Sequence, residues 1–270
     1  MKIFIKTNNK EESAQIIDDI KNIIYKYDHT IKMWSDNMDE NKKNIQECDL
    51  ILAVGGDGTL LSISSLAVTY NKPILGINDG RLGFLTAIEV SHLENLNDFF
   101  EHNEKFEVKK HSLLKAKVNK GHWQYCLNDV VIAKNNLSNT ISTKVFCNES
   151  NIANLVCDSL IVATATGSTA YSLSAGGPIL DNDLDALVIS PVAVHSLKST
   201  PMVLAKNKKI TITFDTSRQQ DIYVSFDGNN HKRINEKDTI TVNLSNKALY
   251  IYSEKNMGQF AKVDKKLKSR

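Results

Sequence analysis

Leu50-Ile51-Leu52-Ala53-Val54-Gly55-Gly56-Asp57-Gly58-Thr59 decides how the first part of this chain folds. An unbroken apolar run ends on a glycine turn, and Leu60, Leu61, Ile63, Leu66 and Ala67 then recur at spacings that suit one face of a helix. Strand, glycine turn and helix is the arrangement in which backbone N–H groups point at a phosphate. The glycines let the main chain take positive φ and let a bulky anion come close. Asp57 puts a carboxylate where a phosphate would sit. That repulsion is relieved if the group holds Mg²⁺ or takes a proton from an attacking hydroxyl. The same five residues also suit a plain tight turn, in which Asp and Gly are ordinary.

Working outward, Ile3-Phe4-Ile5 reads as a buried strand. Ala14, Ile16, Ile17, Ile20, Ile23, Ile24 and Tyr27 fall on one helical face. A polar segment, 35–47, leads into the strand before the glycine turn. Ile74 to Ile77 is a further strand, which runs into the glycine-bearing loop Asn78-Asp79-Gly80-Arg81-Leu82-Gly83-Phe84. Ser91 with Glu94 makes a capping box for a helix through Leu93, Leu96 and Phe99-Phe100. Strands alternating with helices argue for a parallel α/β sheet in residues 1–100, with a site at the carboxyl ends of its strands.

Past Phe106 the periodicity becomes that of strands: Leu113 to Val118, Trp123 to Ala133, Ile141 to Phe146, Leu160 to Thr164, Ala186 to Ile189, Ile210 to Phe214, Ile222 to Phe226 and Ile240 to Leu244. Asn119-Lys120-Gly121 reads as a hairpin turn between the first two. Residues 101–245 are therefore expected to form a β-rich, sandwich-like C-terminal domain. In 246–270, Phe260, Val263 and Leu267 share a helical face that would pack back on the first domain. Glycines cluster between Gly55 and Gly83 and again between Gly167 and Gly177, which suggests one cleft shared by the two domains.

With 33 basic and 31 acidic residues, the net charge of +2 is too balanced for nucleic acid as the main partner. No apolar run is long enough to span a bilayer, and Met1-Lys2-Ile3 begins a strand pattern rather than a signal peptide. Cys48, Cys126, Cys147 and Cys157 show no metal-ligand spacing and read as free thiols of a cytoplasmic protein. The seven histidines show no ligand spacing either, so no metal-ligating residue is expected. His195 reads as a packing or loop residue, and Trp34 and Trp123 as core or interface residues.

The stretch Thr164-Ala165-Thr166-Gly167-Ser168-Thr169-Ala170-Tyr171-Ser172-Leu173-Ser174-Ala175-Gly176-Gly177-Pro178 carries six uncharged hydroxyls among small residues, with Tyr171 able to pack on a flat ring. A Ser/Thr-rich loop capping a short helix is the plainer reading of it. Together with G-G-D-G-T at 55–59, N-D-G-R-L-G-F-L-T at 78–86, Leu127-Asn128-Asp129, His195-Ser196-Leu197 and Asp227-Gly228-Asn229, this stretch resembles the NAD kinase family over nearly the whole chain.

The resemblance implies transfer of the terminal phosphoryl group of ATP to the 2′-hydroxyl of the adenosine ribose of NAD. It also implies Mg²⁺ or another divalent cation travelling with ATP, and a homodimer or homotetramer that meets neither nucleic acid nor membrane. NAD and ATP, or polyphosphate in place of ATP, are the implied partners. Asp57 would be the catalytic base or the group orienting the hydroxyl, and the amides around Gly58 would receive phosphates. Asn128 would bind the adenosine side and Asp129 its ribose hydroxyls. Thr166, Thr169, Ala170 and Tyr171 would shape the adenine pocket, within a nucleotide-binding run that includes Ser172 and Leu173. Asp158, Ser174 and Ala193 would meet the nicotinamide ribose, and Asn229 also belongs to the nucleotide site.

The chain departs from the family pattern at Asp129 (usually Glu), Ala165 (usually Pro), Ser159 (often Gly), and Val156 and Asn139 (often basic). Two other readings share some of these features. A lipid or diacylglycerol-type kinase shares the glycine turn, but would want a greasy acceptor pocket. A non-catalytic NAD(P) sensor would gain little from Asp57.

Overall fold

The computed structural model describes the chain except for residues 9–13, 81–82, 102, 136–138, 196–198, 218–219, 256–257 and 269–270, and the side chains of 103 and 266–268. Arg81 and Leu82 of the second glycine loop, and Ser196 and Leu197, lie outside the described residues. The chain divides into two units, Met1–His111 with Leu249–Arg270, and Ser112–Ala248. The sequence reading placed these boundaries after residues 100 and 245.

The first unit alternates strand and helix: β1 (Lys2–Thr7), α1 (Ala14–Tyr25), β2 (Thr30–Met33), α2 (Met38–Glu47), β3 (Leu50–Val54), α3 (Asp57–Tyr70), β4 (Ile74–Asn78), β5 (Ile88–Glu89) and α4 (Asn95–Glu101). β1 lies parallel between β2 and β3, and β3 pairs in parallel with β4. Every residue of β3 and β4 is buried, as expected of strands covered on both faces. Ile17, Ile20 and Ile24 of α1 pack on this sheet, with Leu96 and Phe99 of α4 in the same core.

Three local readings are corrected. The polar segment 35–47 contains helix α2, capped by the Asn37 side chain, which accepts from the amides of Asp39 and Glu40. It showed no apolar stripe because only Asn41 and Ile45 are buried. The buried face of α3 runs through Leu60, Ile63, Ser64 and Ala67, leaving Leu61 and Leu66 half-buried. The Ser91–Glu94 capping box does not form, since a 3₁₀ turn at Val90–His92 places the Ser91 hydroxyl against Glu89 and the His92 ring.

β6 (Phe106–Val118) carries the chain into the second unit. There follow β7 (Gln124–Cys126), β8 (Asp129–Lys134), β9 (Ile141–Cys147), β10 (Ser150–Cys157), β11 (Ser159–Thr164), α5 (Tyr171–Ser174), β12 (Ala186–Val192), β13 (Met202–Ala205), β14 (Ile210–Phe214), β15 (Ile222–Phe226), β16 (Asn230–Ile234) and β17 (Ile240–Glu254). One antiparallel sheet runs β13-β12-β11-β8-β15-β16, and β10, β9, β14 and β17 pair antiparallel in another. A single core joins them, from Leu114 and Ala116 through Ile132, Val162, Ile189, Ile212 and Val224 to Val242. The β-sandwich expectation and the Asn119 hairpin both appear, with Asn119 at φ +52° and Leu114 opposite Cys126. Trp123 is half-exposed rather than core, with the ammonium groups of Lys115 and Lys117 over its ring.

β17 extends well past Leu244, so no break marks residue 245. Its far end pairs in parallel with β4 through Ile251 and Tyr252. α6 (Gln259–Lys268) closes the chain in the first unit, with Lys262 and Val263 buried while Phe260 stays exposed.

Candidate active site

Gly55 ends β3 at φ +143°, a conformation open to glycine, and a Cβ there would lie 2.3 Å from Thr59 Oγ1. Of the three glycines in this turn, only Gly55 takes positive φ. Gly56 and Gly58 instead leave open space where a side chain would stand, so the start of α3 is accessible from outside. Asp57 is the first residue of that helix and the acidic residue of its first turn. Its carboxylate is held by the main chain of the second glycine loop. It accepts hydrogen bonds from the backbone N–H of Phe84 at 2.9 Å and of Leu85 at 3.0 Å. The second glycine loop therefore closes on the first. Gly83 is required there, because a Cβ would lie 2.5 Å from Asp57 Oδ1 and 2.7 Å from Thr86 Oγ1. Thr59, 1 % exposed, buries its hydroxyl without a hydrogen-bond partner, and the Asn78 Oδ1 is buried likewise. The exposed first amides of a fourteen-residue helix suit an anion such as a phosphate.

The second unit builds its polar constellation around Asp227. Asp227 at φ +50° and Gly228 at φ +70° turn β15 into β16. The Asp227 carboxylate accepts from the amides of Leu127 at 2.6 Å, Asn128 at 2.7 Å and Asp129 at 3.1 Å. This clamp explains why the stretch 123–133 is two strands rather than one. From the other side, the Thr164 hydroxyl donates to the Leu127 carbonyl at 2.5 Å, and the Thr164 amide donates to the Asn128 carbonyl at 2.9 Å. Gly167 packs so tightly here that a Cβ would lie 2.0 Å from the Asn128 carbonyl oxygen. Asn128 and Asp129 are thus presented by a stretch of main chain fixed on both sides.

Asp129 is 6 % exposed, and burial, reinforced by the Asp227 charge, pushes its carboxyl up to about 7. Burial also raises Asp227, against the three amides that favour its ionised form. The two acids titrate as a pair.

The hydroxyl-rich stretch is largely spent on its own architecture. Besides Thr164, the Ser168 hydroxyl donates to the Ala165 carbonyl and accepts from the Leu180 amide, and that of Thr169 donates to the Thr166 carbonyl. Ser172 pairs with Ser190 at 2.9 Å. Thr166 is buried, Ala170 and Leu173 are half-buried, and Tyr171 and Ser174 are exposed. Ala165 sits at φ −57°, an angle proline also adopts, so the departure leaves the turn's shape intact. Asn229, in the β15–β16 turn, is exposed.

Asp158 and Ala193 lie apart from this group. Antiparallel pairing sets Ala163 beside Asp129 but Ser159 beside Ala133, so Asp158 stands at the opposite end of β11, roughly 17 Å along the strand at ~3.3 Å per residue. There Asp158 pairs with Lys134 at 2.8 Å, its amide donates to the Val192 carbonyl, and Ala193 turns at φ +49°.

The role of Asp227 is not legible in the sequence, because its partners lie about a hundred residues upstream. Nothing in the sequence marks Lys262 either, yet the residue is 8 % exposed and its ammonium donates to the Thr86 carbonyl at 3.1 Å. Among the described residues, no group of three or more His, Cys, Asp or Glu is arranged to hold a metal ion, and no helix is long and apolar enough to cross a membrane.

Residues 2–105 match the ATP-NAD kinase N-terminal domain, and residues 127–253 match the ATP-NAD kinase C-terminal domain. The NAD kinase of Legionella pneumophila (strain Corby) is 38% identical over 199 residues, covering 72% of this chain and 67% of that one. The NAD kinase of Clostridium botulinum (strain Kyoto / Type A2) is 35% identical over 232 residues, covering 84% and 82%. The crystal structure of an NAD kinase from Archaeoglobus fulgidus in complex with ATP superimposes with a TM-score of 0.81 at 23% identity, over 98% of this chain and 99% of that one. That of yeast NADH kinase complexed with NADH superimposes with a TM-score of 0.83 at 20% identity, over 100% and 87%. At these identities the two structures speak for the fold.

Proposed function

This chain belongs to the ATP-NAD kinase family, and on that premise we propose that it transfers the terminal phosphoryl group of ATP to the 2′-hydroxyl of the adenosine ribose of NAD, giving NADP. The observation that carries the reading is Asp57: a carboxylate at the open start of α3, held by two backbone amides. Phosphoryl transfer leaves a protein little covalent chemistry, so positioning and charge are its main contributions. Asp57 takes the proton from the 2′-hydroxyl or orients it, and the amides around Gly58 receive phosphates. Asn128 binds the adenosine side and Asp129 accepts the ribose hydroxyls. Thr166, Thr169, Ala170 and Tyr171 shape the adenine pocket, with Ser172, Leu173 and Asn229 completing the nucleotide site. Asp158, Ser174 and Ala193 serve the nicotinamide ribose.

Mg²⁺ or another divalent cation fits this arrangement as a companion of ATP rather than as a resident of a protein cage. The phosphates would hold it, and when bound it neutralises triphosphate charge. The chain is further proposed to act as a homodimer or homotetramer in a reducing cytoplasm, which suits its free thiols. The separation of Asp158 from Asp129 along β11 supports assembly, since a second copy can bring Asp158 to a dinucleotide held at Asp129. Formation of NADP from NAD and ATP, followed by a coupled dehydrogenase, is the test. Protein that melts cooperatively yet makes no NADP with ATP or polyphosphate would overturn the reading.

A further inference from the structure

Helix α6 reaches the loop that holds Asp57 from the loop's other side. We propose that Lys262 is a positioning residue for phosphoryl transfer: its buried ammonium ties down the carbonyls of Phe84 and Thr86, so that the amides of the same segment keep the Asp57 carboxylate in place. The inference rests on the kinase reading given above.

Lys262 Nζ donates to the Thr86 carbonyl at 3.1 Å and, at a longer 3.5 Å, to the Phe84 carbonyl. The Phe84 carbonyl and the Leu85 N–H belong to one peptide unit, and that N–H donates to Asp57 Oδ1 at 3.0 Å. A cation on the oxygen of a peptide polarises it and strengthens donation from its nitrogen. The chain ammonium, peptide, carboxylate therefore runs without a gap from α6 to the residue assigned as base. Gly83 removes any slack, since Asp57 Oδ1 already occupies the space its Cβ would need.

Packing alone does not account for a lysine here. Lysine is rarely this buried unless paired, and the adjacent position of the helix, Val263, is buried with an apolar side chain. Burial lowers the pKa of Lys262 and Lys109 adds to that, while Asp57 and Glu254 oppose both. His111, 5 % exposed, is pushed down to about 4 by burial, Lys109 and Lys262, so it is neutral at pH 7 and adds no second buried cation.

Lys262→Met keeps an unbranched side chain one atom shorter and removes donor and charge. We expect kcat to fall about tenfold or more, with KM for NAD within about twofold, because loop misplacement acts on the reacting group and leaves Asn128 and Asp129 untouched. Lys262→Arg should recover part of kcat. Hydrogen exchange at the Phe84 and Leu85 amides should quicken about tenfold in Lys262→Met, with β1 unchanged. In an Asp57→Asn background the same substitution should add little, since residues acting as a unit are not additive.

Unchanged kcat beside an active wild type, unchanged exchange at the two amides, or a parallel loss of NAD affinity and kcat would each overturn the proposal. If the wild type makes no NADP, the kinase reading fails, and the exchange measurement still judges Lys262. If Lys262→Met does not melt cooperatively, Lys262→Gln, a donor without charge, takes its place in the same assays.

Discussion

Asp57 and Asp227 each hold a stretch of main chain remote in sequence, Asp57 through amides 27 and 28 residues ahead and Asp227 through amides 98 to 100 residues behind. What differs is the direction of service. The amides that Asp227 grips belong to Asn128 and Asp129, which present side chains assigned to the nucleotide. The amides that grip Asp57 belong to Phe84 and Leu85, and what they present is the Asp57 carboxylate itself. On the proposed reading, the same carboxylate-to-amide bond serves as scaffold in one unit and serves the chemistry in the other. What separates the two roles is which partner carries the reactive side chain.

Asp57→Asn should break that contrast most sharply. Turnover is expected to fall about 10²–10⁴-fold, the usual worth of a positioned general base, while NAD affinity by calorimetry stays near normal. Asparagine turns an NH₂ toward one of the Phe84 and Leu85 amides, so stability should also drop, by about 1–3 kcal/mol in denaturant melts. A mutant keeping more than about half the wild-type rate would remove Asp57 from the base role.

Gly83→Ala tests the same carboxylate without touching it. The new methyl competes with Asp57 Oδ1 for space, and a shift of about 1 Å at the reacting group lowers kcat about 10²-fold. A kcat unchanged in Gly83→Ala would mean that the loop yields and does not set the geometry. Asp227→Asn should show the opposite profile, with stability lower by about 2–3 kcal/mol from the weakened amide clamp and NAD affinity falling because Asn128 and Asp129 lose their frame. Normal NAD binding at reduced stability would confine Asp227 to the fold.

How much of this could be read beforehand follows from separation along the chain. The strand–turn–helix at Leu50 to Thr59 was legible because its buried run, its turn and its helical face are contiguous, and every residue of β3 is indeed buried. The alternating strands of the second unit were legible for the same reason. The division of 123–133 into β7 and β8 was not, since two polar residues, Asn128 and Asp129, do not by themselves end a strand and the break is made by a carboxylate a hundred residues on. Six hydroxyls between 164 and 174 suggested a ligand-facing surface, yet Thr164, Ser168, Thr169 and Ser172 bond within the chain. Composition counts donors but does not show where they point. Lys262 was not legible because one lysine among several gives no sign in the sequence that it is folded inward.

Asp129 sharpens the comparison through pH. Its carboxyl lies near 3.8 when unfolded and about 7 in the folded, ligand-free protein, with burial the main cause and Asp227 the second. Between those values the folded state keeps a proton that the unfolded state has lost, so stability is highest below the unfolded value and declines as pH rises toward 7. Melting temperature of the ligand-free protein should therefore fall from pH 5 to pH 8, and Asp129→Asn should flatten that slope. The same variant should weaken NAD binding far more than ATP binding, since a site built to bond ribose hydroxyls loses its acceptor. An unaltered slope would show that the proton resides elsewhere in the pair, and equal weakening of both ligands would place Asp129 outside the ribose site.

Tyr171 carries the smallest expected effect on the protein and a distinct one on its ligand. The residue is 45% exposed, while the buried Ser172–Ser190 pair anchors α5, so the fold gains little from Tyr171. Removing a half-exposed aromatic should leave the ligand-free melting temperature within a degree or two, because surface substitutions usually change stability by about 0.5 kcal/mol or less. NAD at a hundredfold excess over its dissociation constant should stabilise the wild type by about 2.7 kcal/mol. Tyr171→Ala at the same NAD concentration should gain less, since a ring that stacks on adenine contributes about 0.5–1.5 kcal/mol beyond its buried area. Melting both proteins with and without NAD separates the cases. An undiminished NAD-induced shift would take Tyr171 out of the adenine pocket, and a lowered ligand-free melting temperature would make the exposed ring a structural one, holding α5 against its strand.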